Sequence, residues 1–140
     1  MRIFLDTNVI LDIYFDDRTG KEAALKILEI GNQRLRSRTY VSALTVANAH
    51  YVLRKSQGKE KAKQCIQEIF ETNKISHMSD YAVYSALLSD CPDFEDALQI
   101  AAAEADACDV IITHDKRHFQ GHTVLPIYTP EEFLAKCKRN

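Results

Sequence analysis

Three aspartates stand where a parallel α/β sheet would bring carboxylates together. Asp6 directly follows the apolar segment RIFL, and Asp115 closely follows the apolar segment VIIT. Asp96 lies in the first turn of the helical segment that leads into VIIT. Carboxylates a few ångströms apart repel one another unless a cation or a proton lies between them. Mg²⁺ accepts such oxygen ligands, and a metal site of this kind can activate water for in-line attack on phosphorus. A cap on the following helix is the alternative role for Asp6.

The elements that would position these acids alternate along the chain. Period-2 and continuous apolar segments predict strands at 2–5, 39–42, 75–78, 110–113 and 123–127. Helical spacing predicts a helix after Asp6 and further helices at 21–30, 43–55, 59–72, 80–89, 93–107 and 131–138. Gly31 and Asn32 are expected to end the second helix. The pattern predicts a three-layer α/β/α sandwich with a mostly parallel central sheet.

Length and composition restrict the class of protein. The 140 residues, 46% hydrophobic and 27% charged, predict a single globular domain over 1–140. No segment has the length of a membrane span or the pattern of a signal peptide, so a cytoplasmic protein is expected. A net charge of −2 argues against general coating of nucleic acid but is compatible with a nuclease. The absence of a glycine-rich phosphate loop counts against nucleotide-binding folds of the Rossmann or P-loop type.

Five segments carry a resemblance to a known family. They are FLDTNVIL at 4–11, SALTVANAHYVL at 42–53, DFEDALQIAAAEA at 93–105, VIITHDKRHF at 110–119 and VLPIYTPEEFL at 124–134. In this order and spacing they resemble the PIN-domain family of metal-dependent ribonucleases, and within it the VapC-like toxins. The resemblance implies an α/β/α fold, one or two Mg²⁺ or Mn²⁺ ions, and endonucleolytic hydrolysis of RNA. It also implies an antitoxin partner and a homodimer.

The resemblance assigns roles to individual positions. It makes Asp6, Asp96 and Asp115 the metal-binding and catalytic acids. It gives Thr113 the place of a hydroxyl residue that supports the site, and Asn8 the place of the asparagine that orients Asp6 or the following turn. Hydrolysis that does not use the 2′-hydroxyl should leave a 5′-phosphate and a 3′-hydroxyl.

One position departs from the family pattern. Where many members carry a glutamate on the helix after the second strand, this chain has Asn48. Asparagine can coordinate through its carbonyl oxygen, but it carries no charge and cannot act as a base. The alternative function is therefore a weakly active or inactive PIN-like module that binds RNA or protein. Asp93 could supply the missing charge, because it is three residues before Asp96 and can lie near the same face of the helix. The alternative is that Asp93 only caps the helix.

Cationic residues flank Asp115. His114, Lys116 and Arg117 could contact RNA phosphates, or they could form an ordinary solvated loop. A haloacid-dehalogenase-like phosphatase is a further alternative, because FLDTN also fits a strand followed by a nucleophilic aspartate. That chemistry needs a second acid two residues after Asp6, and the position holds Asn8.

Overall fold

A parallel sheet of five strands organises the described part of the chain, residues 1–33 and 36–139 of this computed structural model. The strands are β1 (Arg2–Leu5), β2 (Arg38–Ser42), β3 (Lys74–Ser76), β4 (Val110–Ile112) and β5 (Ile127–Tyr128). Their order in the sheet is β3-β2-β1-β4-β5, and every pair is parallel. The predicted α/β class with a parallel sheet is confirmed.

Helices connect the strands and cover both faces of the sheet. They are α1 (Thr7–Tyr14), α2 (Lys21–Gln33), α3 (Ala43–Gln57), α4 (Lys59–Thr72), α5 (Asp80–Leu88), α6 (Phe94–Ala105), α7 (Lys116–Phe119) and α8 (Pro130–Arg139). Alternate residues of β1 enter different cores: Ile3 and Leu5 pack with α1 to α4 and α8, whereas Phe4 packs with α6, β4 and α7. Because both faces of β1 are buried from Ile3 onward, the strand is apolar from Ile3 to Leu5, and the predicted three-layer sandwich is confirmed.

The strand order places a topological switch point beside β1. From β1 the chain builds outward through β2 to β3, then crosses to β4 on the other side of β1. Leu5 is in register with Ile112, and the backbone N–H of Asp6 donates to the carbonyl oxygen of Ile112 over 3.0 Å. In open parallel sheets, the crevice at such a point, outside the carboxyl ends of the strands, is the usual ligand site.

Two predicted boundaries are wrong for identifiable reasons. Helix α2 does not end at Gly31 and Asn32 but continues to Gln33. Gly31 instead lies where α2 passes close to β2, because a Cβ there would lie 2.6 Å from the side chain of Thr39. The last strand holds only Ile127 and Tyr128, not 123–127, since Val124 is 97% exposed and Pro126 has no backbone N–H to donate to the sheet.

Smaller differences occur around the other elements. The third strand ends at Ser76, two residues earlier than expected, and α7 is a short helix that the apolar pattern did not predict. Within the described residues, no helix combines the length and apolar character needed to cross a membrane.

Candidate active site

Asp6 is a buried carboxylate at the switch point, directly after the carboxyl end of β1. It follows β1, has extended backbone angles (φ −70°, ψ 158°) and caps α1 by accepting the N–H of Thr7 at Oδ1 over 2.8 Å. The same oxygen accepts from Nε2 of Gln99 over 3.1 Å, and Oδ2 accepts from the Thr113 hydroxyl over 2.8 Å. Asp6 therefore caps a helix and also joins a polar cluster between β1, β4 and α6. Helix capping alone does not account for its hydrogen bonds.

The donors that hold Asp6 are all uncharged, which distinguishes it from the other buried aspartate on α1. Asp12 is 4% exposed, and its two oxygens meet Arg18 at 3.3 Å and His114 at 2.5 Å. Asp6 is 7% exposed and has no ion pair with any residue in the described ranges. A buried carboxylate without a cationic partner is costly unless its charge is balanced from elsewhere. Within the described residues, no cationic side chain therefore balances the negative charge of Asp6.

Asp96 lies in the first turn of α6 and interacts electrostatically with Asp6. Burial raises the pKa of Asp96, and the negative charges of Asp93 and Asp6 raise it further. His118 opposes this rise, since its Nδ1 lies 3.1 Å from Oδ2 of Asp96. A carboxyl whose charge is disfavoured by two neighbouring carboxylates is a site where a cation would be stabilised.

Asp93 caps helix α6, as one of the two alternatives predicted. Its Oδ1 accepts the backbone N–H of Asp96 over 3.0 Å, the usual N-cap hydrogen bond. Its charge still acts on Asp96, because it is one of the causes of the raised pKa of that carboxyl. The cap accounts for its position, and a role as a metal ligand remains a prediction.

Thr113 connects Asp6 to the segment that carries Asp115. This fully buried residue follows β4, donates its hydroxyl to Asp6 and accepts the backbone N–H of Asp115 at the same oxygen over 3.0 Å. Asp115 itself is exposed and precedes α7, without a capping hydrogen bond from its side chain. The structure therefore places Asp115 in the loop after β4, linked to Asp6 through Thr113 and exposed to solvent.

The donor set fits a hard divalent cation. Among the residues that the structure describes, no three His, Cys, Asp or Glu side chains converge closely enough to form a ready metal-binding group. The available oxygens nevertheless have the right chemistry: a buried carboxylate without a counter-charge, and a second carboxylate whose ionisation it disfavours. Mg²⁺ is commonly held by one or two carboxylates and retains several waters, so a complete cage of protein ligands is not required.

Gln99 is the site residue that the sequence reasoning missed. It is 3% exposed, one turn after Asp96 on α6, and its amide lies between Asp6 and the start of α3. A buried glutamine within an apolar helix face was the available signal, since a buried amide must find hydrogen-bond partners.

Comparison with known proteins identifies the family. Residues 2–117 match the sequence model of the PIN domain. The chain belongs to the PIN-domain family. It is similar to Ribonuclease VapC1 of Aquifex aeolicus (strain VF5), with 27% identity over 146 residues that cover 99% of this chain and 94% of that protein. The resemblance to VapC-like members of the PIN family is confirmed.

Solved structures share the fold. A chain of VapBC2 from Rickettsia felis, bound to a promoter DNA fragment, matches with a TM-score of 0.74 and 16% identity, covering 92% of this chain and 98% of that one. VapC20 of Mycobacterium tuberculosis, described as a toxin that cleaves the sarcin-ricin loop, matches with a TM-score of 0.67 and 12% identity, covering 86% and 96%. These likenesses support the PIN-like fold.

The two asparagines of interest in this PIN domain have different surroundings. Asn48 is half-buried on α3, one turn after the fully buried Thr45, on the side of the helix that faces Gln99. Asn8 is exposed, and within the described residues no hydrogen bond joins its side chain to Asp6. An orienting role for Asn8 remains a prediction.

Two of the three cationic residues around Asp115 contact acidic side chains, and the third lines a cavity. His114 contacts the buried Asp12, and Lys116 forms an ion pair of 2.8 Å with Glu132 on α8. Arg117 lies at a cavity of about 350 Å³ whose lining also includes Asp96 and His118. Of the three predicted phosphate contacts, Arg117 thus lies beside the acids, whereas the other two interact with acidic side chains.

Proposed function

We propose that this PIN domain is a metal-dependent endoribonuclease of the VapC-like type, acting in the cytoplasm as a single domain over residues 1–140. The observation that carries the proposal is the buried Asp6 carboxylate, which is held by Thr7, Gln99 and Thr113 and has no cationic partner in the described residues. Membership of the PIN family and the similarity to a protein named Ribonuclease VapC1 support it.

In this proposal Asp6, Asp96 and Asp115 hold Mg²⁺ or Mn²⁺, with Asp93 nearby as an additional acid. When bound, the cation would lower the pKa of water and offset the charge that develops on the phosphoryl oxygens. Thr113 orients Oδ2 of Asp6, and His118 orients Oδ2 of Asp96. These hydrogen bonds would hold both carboxylates in place when the cation binds.

Arg117 has the place and charge to hold the RNA backbone. It lines the cavity next to Asp96, where a guanidinium can bind a phosphate through two parallel hydrogen bonds. His114 and Lys116 would add to the local positive potential only where RNA competes with Asp12 and Glu132 for them. We therefore assign the main phosphate contact to Arg117.

Cleavage of RNA by the purified protein tests this function. We expect Mn²⁺-dependent cleavage that EDTA abolishes, with 5′-phosphate and 3′-hydroxyl ends on the products. Asp6→Asn should reduce the rate by more than about 100-fold, beyond the effect usual for residues that only orient a ligand. Asp17→Asn is the matched control, because it makes the same chemical change on an exposed acid. Equal cleavage by Asp6→Asn, or cleavage that needs no metal, would refute the proposal.

A non-catalytic PIN-like module is the second candidate, and Asn48 is the observation that favours it. The residue brings no charge to the helix face beside Gln99 and Thr45. RNA binding without cleavage at any Mn²⁺ concentration would support this alternative.

We further propose an antitoxin partner, supported by the VapBC complex among the structural relatives. An apolar groove of about 410 Å³ between α3 and α4 could receive a segment of that partner. It is lined by Ala43, Val46, Lys63, Ile66, Gln67, Phe70 and Ile75. Phe70 is 70% exposed there, so the groove presents a large apolar side chain to a binding segment.

A homodimer is proposed through α5. Four large apolar side chains of this helix are more than half exposed and lie at helical spacing, and exposed apolar patches of this kind mark protein–protein interfaces. They are Tyr81, Tyr84, Leu87 and Leu88, between 59% and 72% exposed. Sedimentation of the wild type and of Leu88→Lys should show a dimer that the lysine variant weakens.

A further inference from the structure

The amide of Gln99 joins two parts of the site that the chain separates widely. Its Nε2 lies 3.1 Å from Oδ1 of Asp6 and 2.8 Å from the hydroxyl oxygen of Thr45, and its Oε1 accepts a hydrogen bond from Ser42. Ser42 and Thr45 are fully buried, and Gln99 is 3% exposed. One side chain of α6 therefore contacts both the end of β1 and the first turn of α3.

The hydrogen bonds around Ser42 fix the orientation of this amide. The Ser42 oxygen accepts the backbone N–H of Thr45 over 3.0 Å, so its own hydroxyl proton is free to donate to Oε1 of Gln99. The NH₂ group is then directed at Asp6 and Thr45. The reversed amide would place its oxygen against the carboxylate of Asp6, which is repulsive, so one orientation is strongly preferred.

We propose that Gln99 is a positioning residue that holds the Asp6 carboxylate for cation binding, an inference that rests on the proposed function. Gln99 holds Oδ1 while Thr113 holds Oδ2, so rotation of the carboxylate is opposed at both oxygens. Neither donor carries a charge, so the carboxylate is fixed without being neutralised. Gln99 also donates to Thr45, so it helps to fix the first turn of α3 relative to α6. The position of Asn48, one turn further along α3, depends on the same contact.

Mn²⁺ binding in the absence of RNA tests this role. Gln99→Met keeps the length of the side chain and removes both the donor and the acceptor. We expect its Mn²⁺ affinity, measured by calorimetry well below the melting temperature, to fall about 10- to 100-fold, as for other residues that orient metal ligands. Gln64→Met is the matched control on the exposed face of α4 and should bind like the wild type. A purely structural glutamine would lower the melting temperature and leave the affinity within about twofold.

The outcomes separate this inference from the proposed function. Failure of the wild-type protein to bind Mn²⁺ would overturn the proposed function and the inference with it. Binding by Gln99→Met that equals the wild type would overturn the inference alone. Should that variant not fold, NMR of the wild type decides: saturating Mg²⁺ should shift the side-chain amide resonances of Gln99 and leave those of Gln64 in place. An unshifted Gln99 amide at saturation would refute the positioning role.

Discussion

The hydroxyl of Thr113 lies 2.8 Å from Oδ2 of Asp6, and the two residues follow adjacent parallel strands. The same hydroxyl accepts the backbone N–H of Asp115 over 3.0 Å. One buried oxygen thus couples the end of β1 to the loop after β4. Among the described residues, no other hydrogen bond joins this loop to Asp6, so Thr113 links Asp115 directly to Asp6.

Thr113→Val should loosen that coupling with little change in side-chain volume. The variant leaves a lone pair of the buried Asp6 carboxylate and the N–H of Asp115 without their partner. We expect the free energy of unfolding to fall by about 1–3 kcal/mol in urea titrations. Mn²⁺-dependent RNA cleavage should fall about 10- to 100-fold. Thr113→Ser retains the hydroxyl and is the control, with activity close to that of the wild type. Full activity in the valine variant would contradict the coupling.

The charge of Asp96 should make stability depend on pH in a defined direction. Burial, then the charges of Asp93 and Asp6, raises its pKa in the folded protein above the ordinary value of 3.8. The folded state therefore binds this proton more tightly than the unfolded state does, and stability falls as the pH rises through the window from 3.8 to the raised value. Asp96→Asn removes this penalty. Urea titrations should show the variant gaining stability over the wild type at neutral pH, with the difference vanishing below pH 3.8.

Mn²⁺ provides the check on this interpretation of Asp96. A bound cation favours the ionised carboxylate, so saturating Mn²⁺ at neutral pH should stabilise the wild type more than Asp96→Asn. An equal effect of Mn²⁺ on both proteins would argue that Asp96 does not hold the cation.

Asp93 offers a way to separate helix capping from electrostatics. Asparagine caps helices as well as aspartate does, whereas alanine does not. Asp93→Ala should cost about 1 kcal/mol of stability, and Asp93→Asn should cost little, because only the alanine leaves the N–H of Asp96 unpaired. The asparagine variant should also lower the pKa of Asp96, which NMR titration of its carboxyl carbon would measure. No change in that pKa would contradict the repulsion between the two acids.

The extent to which the site could be predicted from the sequence depends on the kind of signal each residue gives. Asp6 and Asp115 follow apolar strands, and the β1–β4 pairing brings those strand ends together as expected. Gln99 could not be assigned a role, because its partners Ser42 and Thr45 are more than 50 residues away in the sequence. The spacing of apolar residues along one helix does not indicate which distant residues the helix will contact. Tertiary contacts of that kind exist only once the layers are packed.

Gly31 illustrates the same limit for the fold. Glycine is typical of helix ends, and the expected end of α2 followed from that preference. The residue is needed instead because α2 crosses close to Thr39, and that approach is a property of helix packing on the sheet. Local preference therefore predicted the helix, whereas the reason for a glycine at position 31 is the tertiary packing of α2 against β2.

Gly20 should resist substitution because of Asp12. A Cβ at this position would clash with Oδ2 of Asp12 and lie 3.3 Å from Nε2 of His114. Gly20→Ala should therefore disturb the buried contact between those two side chains and lower the free energy of unfolding by about 1–3 kcal/mol. The loss should largely disappear in an Asp12→Ala background, because the clashing oxygen is then gone. A similar loss in both backgrounds would point to the backbone of Gly20 rather than to this contact.

Asn48→Glu should strengthen the site rather than weaken it. The residue is half-buried one turn after Thr45, so a glutamate there would add a carboxylate on the side of α3 nearest Asp6 and Gln99. Affinity for hard cations rises with the number of charged ligands, and we expect Mn²⁺ to bind about tenfold more tightly, with faster RNA cleavage. In the absence of metal the new charge should lower the free energy of unfolding, since it adds to the repulsion already present between Asp6 and Asp96. Asn48→Gln has the same length without the charge and should leave Mn²⁺ affinity near the wild-type value. Unchanged affinity in the glutamate variant would mean that position 48 does not face the cation.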